Sequence, residues 1–306
     1  MKIAFVHAGQ GAQVAGMGKD LYDTYDIVKS RLDEAESIMG QPLLRAMFED
    51  QALLDKTTYA QPAIYALSTA IRDLLASRGI VSEGSAGLSL GEYAAFYDVG
   101  AYGFETGMRV LIHRAFFMDQ ALKANEGGMI ALRGDIAQAQ ALVDAVEGLH
   151  IANINSPQQI VLGGSRESIA KAIERAPDLG IRRVVPLATA GAFHTPLMKD
   201  ACQPFQDYLR PVPIEKPSKP LYLNTTGKRH EGDLKPLMVR QVVESVRFAP
   251  MIETMIDDGF DVFIELSPGD TLSKLIKKIN REVRTFHVED CETLDALMKE
   301  MESHAI

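Results

Sequence analysis

An α/β fold, with a small domain inserted into a larger one, is predicted by three observations. Short apolar strands alternate with helical stretches along the 306 residues. Residues 128–188 have a rhythm of their own: strand, helix, two strands, helix, strand, the βαββαβ order of a ferredoxin-like unit. Strand-like segments, "LYLNTTG" and "DVFIELSPG", resume after it. The expected boundaries are 1–125 and 192–306 for the large domain and 126–191 for the small one.

The first strand is read in "IAFVHAG", an apolar run that enters a glycine loop. A helical face follows in the steps between Leu21, Tyr25, Val28, Leu32 and Ala35, with Gly40 as its stop. Thr58-x-x-Gln61 before Pro62 reads as a helix start, and that helix should reach about Arg78. A short strand is expected near Ser85–Leu88, then a tight turn at Ser89, then a helix from Gly91 to about Asp98. Phe104, Met108, Leu111, Ala115, Met118 and Leu122 make another apolar stripe at helical spacing.

Composition narrows the function. The chain is 46% hydrophobic and 24% charged, which suits a globular core. A net charge of −9 argues against nucleic acid or an anionic membrane as a partner. The apolar start is broken by Gln10 too early for a signal peptide, and no apolar run approaches the roughly 18 residues of a membrane span. Cys202 and Cys291 fit no metal-ligand spacing, so free thiols in the cytoplasm are expected, with no metal.

The chemistry centres on Gly87-Leu88-Ser89-Leu90-Gly91. G-x-S-x-G between a strand and a helix is the signature of a nucleophile elbow. Small flanking residues let serine occupy a sharp turn, and the helix start behind it favours negative charge. The alternative is a glycine-rich turn without chemistry. A serine nucleophile needs a base. Of seven histidines, His113 falls on a polar helix side, His150 within the small unit and His304 at the end of the sequence. His194, in "GAFHTPLM", sits in a loop just after the small unit.

Taken in order, "HAGQGAQVAGMG", "GLSLGEY", "NINSPQQIVLGG", "GAFHTPL" and "FIELSPG" resemble the malonyl-CoA:acyl carrier protein transacylases and the acyltransferase domains of fatty-acid and polyketide synthases. The resemblance runs from Phe5 to about Lys278. It implies an α/β-hydrolase-like large domain with a ferredoxin-like insertion. It also implies malonyl transfer from malonyl-CoA to the phosphopantetheine thiol of an acyl carrier protein, through a malonyl-serine, with no bound cofactor. Carried over, the nucleophile is Ser89, the base His194, and the oxyanion donors the backbone N–H groups of Gln10 and Leu90. Arg114 would bind the substrate carboxylate. Arg247 would supply a backbone carbonyl that orients the histidine. Leu88 and Ala8 stand where many members have histidine and proline.

On its helix Arg114 lies on the flank of the apolar stripe and is expected half-buried, whereas Arg109 should be solvated. Phe193, before the base, would fill the space an α-methyl needs and favour malonyl over methylmalonyl. Asn155 and Asn224 are further candidates near the cleft, although asparagine there also suits ordinary turns. An acidic carrier would need a local basic surface on this acidic chain. "SKLIKKINREVR" offers Lys274, Lys277, Lys278, Arg281 and Arg284 within about three helical turns. A monomer is expected. The rival readings are a serine thioesterase or esterase, which has no need of a buried cation, and a trans-acting polyketide acyltransferase.

Overall fold

A computed structural model describes residues 1–189 and 191–303. The fold is mixed α/β. The described strands are β1 (Ile3–His7), β2 (Gly84–Gly87), β3 (Gly127–Leu132), β4 (Leu149–Ser156), β5 (Gln159–Ser165), β6 (Val184–Pro186), β7 (Tyr222–Leu223), β8 (Lys228–Arg229), β9 (Val262–Leu266) and β10 (Arg284–Val288). The chain divides into two compact units. One comprises Met1–Ala115, Pro213–Tyr222 and Met255–Ile306, the other Phe116–Val212 and Leu223–Thr254.

The first unit is built on a parallel sheet in the order β10-β9-β1-β2. Every residue of β2 and β9 is buried, as is β1 beyond Ile3. Parallel strands covered on both faces read as continuous apolar runs, which is why "IAFV" and "VFIEL" are recognisable. The edge strand β10 is half-buried, and its first residue, Arg284, closes the stretch "SKLIKKINREVR" that was expected to be helical. The helix there spans only Thr271–Ile279, so Arg281 lies beyond its end and Arg284 in a strand.

Helix boundaries follow local chemistry in places. Gly91–Asp98 is helical as expected, and Thr57–Ser77 matches the expected extent. The cap reading of that second helix needs correction. Its N-cap is Lys56, with no side-chain cap bond, and Gln61 is buried within it. The early helical face is also interrupted. Tyr25 is extended, with φ −121° and ψ 115°, and separates Lys19–Thr24 from Asp26–Met39. Leu21, Val28, Leu32 and Ala35 are nevertheless all fully buried.

The second unit holds an antiparallel sheet in the order β4-β5-β3-β6. The βαββαβ order is present, with helices Ile136–Ala145 and Arg166–Arg175. Asp135 and Gln138 form a reciprocal capping box at the start of the first. Alternation along the strands separates two faces. Ile130, Leu132, Leu149, Ile160 and Leu162 pack with Ala139, Leu142 and Ala172 of the helices. Met129, Ala152 and Val161 form a second cluster, against which Phe193 packs.

Candidate active site

In the first unit the turn at Ser89 is made by backbone crossing backbone. A Cβ on Gly87 would lie 2.0 Å from the carbonyl carbon of Gly91. A Cβ on Gly91 would lie 2.0 Å from the main-chain oxygen of His7. Only glycine fits at either position, because the obstacle is main chain and cannot rotate away. The Leu88 N–H donates to the same His7 oxygen at 2.9 Å, which ties the turn to the end of β1. Ser89 itself has φ 55°.

Around Ser89 runs a chain of side-chain hydrogen bonds. Arg114 Nη2 donates to Ser89 Oγ at 3.4 Å, and Nη1 to Gln61 Oε1 at 2.6 Å. Gln61 Nε2 reaches Gln10 Oε1 at 3.5 Å, and Gln10 Nε2 donates to Thr57 Oγ1 at 3.1 Å. The structure thus brings Ser89, Arg114 and Gln10 together. Arg114 is 1% exposed, which corrects the half-buried expectation. Its guanidinium carbon lies 5.0 Å from the centroid of the Tyr93 ring. Angular position on a helix says nothing of what neighbouring helices lay over it. Burial lowers its pKa, yet an arginine keeps its charge in a protein. Arg109 is exposed and paired with Glu105.

Gln61 is a site residue that the reading of the sequence missed. Its polar side chain, at a helix position that burial covers completely, was the available signal. Leu90 is buried and precedes the first turn of the helix Gly91–Asp98.

In the second unit His194 is 4% exposed, with φ 59°. It and Ser89 are the two non-glycine residues with positive φ among the described residues. Such conformations cost roughly 1–3 kcal/mol each and persist where surrounding structure holds them. The His194 Nδ1 lies 2.8 Å from the carbonyl oxygen of Gln241. A carbonyl can only accept, so Nδ1 carries a proton, which leaves Nε2 as the ring nitrogen that can act as a base. The loop is braced by Thr195, whose hydroxyl donates to Ala192 O at 2.7 Å and accepts from Leu197 N–H at 3.3 Å.

The orienting carbonyl was expected from Arg247, and this is corrected. Gln241 supplies it from the end of the helix Lys235–Gln241. The Arg247 carbonyl is taken by Met251 N–H at 3.0 Å, and its own N–H donates to Asn224 O at 2.9 Å. The intervening chain adds to the edge of β4. Val246 N–H donates to Ala152 O, its carbonyl accepts from Ile154 N–H, both at 2.8 Å, and the Ser245 hydroxyl donates to Ile151 O. Asn224 is fully buried and Asn155 9% exposed at the end of β4. A cavity of about 550 Å³ in this unit is lined by His194, Pro196, His150, Ile151 and Ile154, among others.

Lys274, Lys277, Lys278 and Arg281 are all exposed. Lys274 pairs with Asp270 at 2.8 Å, and Lys277 Nζ donates to Val283 O at 2.6 Å. His304 lies outside the described residues. Among the described residues no helix is long and apolar enough to cross a membrane, and no group of three or more His, Cys, Asp or Glu is placed to hold a metal ion.

Comparison with known proteins bears on this geometry. Residues 4–305 match the model of the acyl transferase domain. A malonyl CoA-acyl carrier protein transacylase of Bacillus subtilis is 37% identical over 302 residues, 96% of this chain and 95% of the relative. The crystal structure of a malonyl CoA-acyl carrier protein transacylase from Clostridium perfringens superposes with a TM-score of 0.95 at 34% identity, covering 99% of this chain and 98% of the other. A malonyl-transacylase in complex with a type II polyketide acyl-carrier protein superposes with a TM-score of 0.94 at 28% identity, over 98% and 100% of the two chains. A family match over nearly the whole length, around a strained serine bonded to a buried arginine, shows that the chain belongs to the acyl transferase domain family.

Proposed function

We propose that this protein transfers a malonyl group from malonyl-CoA to the phosphopantetheine thiol of an acyl carrier protein through a malonyl-Ser89 intermediate. His194 Nε2 takes the Ser89 proton as the hydroxyl attacks the thioester carbonyl. The oxyanion is held by the N–H groups of Gln10 and Leu90, worth about 3–4 kcal/mol for each donor of this kind. The thiolate of CoA leaves with the proton from His194. The carrier thiol then attacks malonyl-Ser89 by the same steps in reverse.

The observation that carries this reading is the Arg114 guanidinium, fully buried and donating to Ser89 Oγ at 3.4 Å. A fixed cation beside the nucleophile selects an acyl chain that ends in a carboxylate, which two parallel bonds can clamp. An esterase for neutral acyl groups would gain nothing from burying that charge. Relatives with the transacylase name over nearly the full chain support the same reaction. The large unit is read as α/β-hydrolase-like, because its strand-turn-helix presents the serine, and the small unit as ferredoxin-like. The enzyme acts in the cytoplasm as a monomer. Lys274, Lys277, Lys278 and Arg281 offer the carrier a basic surface, and Phe193 limits the α-substituent.

The test is mass spectrometry after brief exposure to a mixture of acyl-CoAs. A malonyl adduct on the Ser89 peptide, stable until holo carrier protein is added, is expected. Release of free malonate without carrier, or an adduct elsewhere, would overturn the reading in favour of a hydrolase.

A further inference from the structure

One buried titratable side chain in the first unit has no part in the chemistry above. His7 ends β1, is fully buried, and stands opposite Gly87 in the parallel register. Its Nδ1 lies 2.7 Å from Ser68 Oγ and its Nε2 3.2 Å from Ser85 Oγ. Ser68 Oγ in turn donates to Leu266 O at 2.5 Å. Leu266 O can only accept, so the Ser68 proton points there and Ser68 Oγ receives the Nδ1–H of His7. Nε2 is then the acceptor for the Ser85 hydroxyl. One ring therefore links the end of β1 to β2, to the helix Thr57–Ser77 and, through Ser68, to the end of β9.

Packing alone would not ask for this residue. β1 is otherwise an apolar core strand, and an imidazole hidden from water loses hydration that an aromatic ring of similar size never had. Burial holds its pKa down, to about 4, with Asp98 opposing and Arg72 and Lys219 assisting, so the ring stays neutral at ordinary pH. What the ring supplies is direction. The main chain of the same residue receives Leu88 N–H and lies against Gly91, on either side of Ser89. Three residues further along the chain is Gln10.

We propose that His7 is a positioning residue of the acyl-transfer centre. Clamped by Ser68 and Ser85, it fixes the end of β1 and so the relation between the Gln10 N–H and the Ser89 turn. The proposal rests on Ser89 as nucleophile and the Gln10 N–H as oxyanion donor. Donors of this type act only when they meet the developing oxyanion at about 2.7–3.1 Å. A strand end free to rotate would lose that alignment while leaving substrate binding intact.

The experiment compares wild type, His7→Phe, His7→Asn and Ser68→Ala. Single-turnover acylation by malonyl-CoA, steady-state KM, the pH profile and thermal melting are measured for each. His7→Phe keeps a planar aromatic ring, and Ser68 and Ser85 keep Leu266 O and Phe5 O as acceptors. Its acylation rate should fall roughly ten- to a hundredfold, with KM within about twofold and the pH midpoint unchanged, since the base is His194. His7→Asn, which restores a donor toward Ser68, should recover most of the loss. Ser68→Ala should show a smaller loss of the same kind, and it carries the test if His7→Phe does not fold. Wild-type acylation in His7→Phe overturns the proposal. So does a loss that asparagine does not repair and that raises KM in proportion. A wild-type enzyme that forms no acyl-Ser89 overturns instead the reading on which the proposal rests.

Discussion

Ser89 and His194 share a backbone conformation that side chains rarely adopt, yet the two are held by different means. The turn at Ser89 is locked by contact between main-chain atoms at Gly87, Gly91 and His7, within a covered parallel sheet. The loop at His194 is braced by the Thr195 hydroxyl, and its ring is steered by the carbonyl of Gln241, whose segment is pinned to the edge of an antiparallel sheet. The serine's support is steric and close-packed. The histidine's includes a directed hydrogen bond to a carbonyl remote in sequence. The lesson is that a nucleophile's trajectory is fixed by exclusion, whereas a base's protonation is fixed by a partner.

The sharpest way to break the comparison is Ser89→Ala. Acyl-enzyme should vanish and turnover fall by at least about a thousandfold, read by mass spectrometry and thiol release. Retained turnover would mean that the strained turn serves only the fold. Arg114→Ala comes next. Two charge-assisted bonds of about 1.5–3 kcal/mol each separate malonyl from acetyl, so preference should shift by roughly a hundredfold or more toward acetyl-CoA. Competition between labelled donors would measure it, and an unchanged preference would remove Arg114 from the acyl pocket.

The third prediction concerns acid. His7 titrates at about 4 in the fold against an ordinary 6.5. Between these values the unfolded chain binds more protons. The stability is therefore complete above about pH 6.5 and is lost as pH falls toward 4, by about 3 kcal/mol at 1.36 kcal/mol per unit. Urea unfolding at pH 7 and pH 4.5 should show a smaller acid loss in His7→Phe than in wild type. Equal slopes would show that His7 does not titrate with folding. The smallest effect is expected on the histidine side. Phe193→Ser opens space beside the base and removes a ring from the cluster of Met129, Ala152 and Val161. A severalfold gain with methylmalonyl-CoA relative to malonyl-CoA, with a stability loss of about 1–3 kcal/mol, is the outcome to look for.

What could be read from the sequence follows the same division. The Ser89 turn is local: glycine spacing, the preceding strand and the helix Gly91–Asp98 all lie in one short stretch, and all were legible. So was the alternation of β3, β4 and β5, because one face of that sheet meets two helices. The carbonyl at Gln241 was not, since a main-chain acceptor leaves no mark on residue type, and the expectation fell on Arg247. The depth of Arg114 was hidden for another reason. Its cover comes from Gln61 and Tyr93 on other helices, and a single helix pattern contains no such information. Gln61 itself was read as a cap because capping and buried bonding use the same side chain. The break at Tyr25 and the end of the basic helix before Arg281 were missed because an apolar or charged stripe continues across a change of backbone.

The Gln241 carbonyl has a consequence for how the enzyme can fail. A peptide oxygen is common to all twenty residues, so no exchange of one amino acid for another deletes it. Damage to the imidazole's alignment must arrive by displacement, through anything that peels Ser245 and Val246 from the rim of the neighbouring sheet. Inherited loss of the base's steering would then map to the margin of the antiparallel sheet, at positions remote in sequence from the histidine.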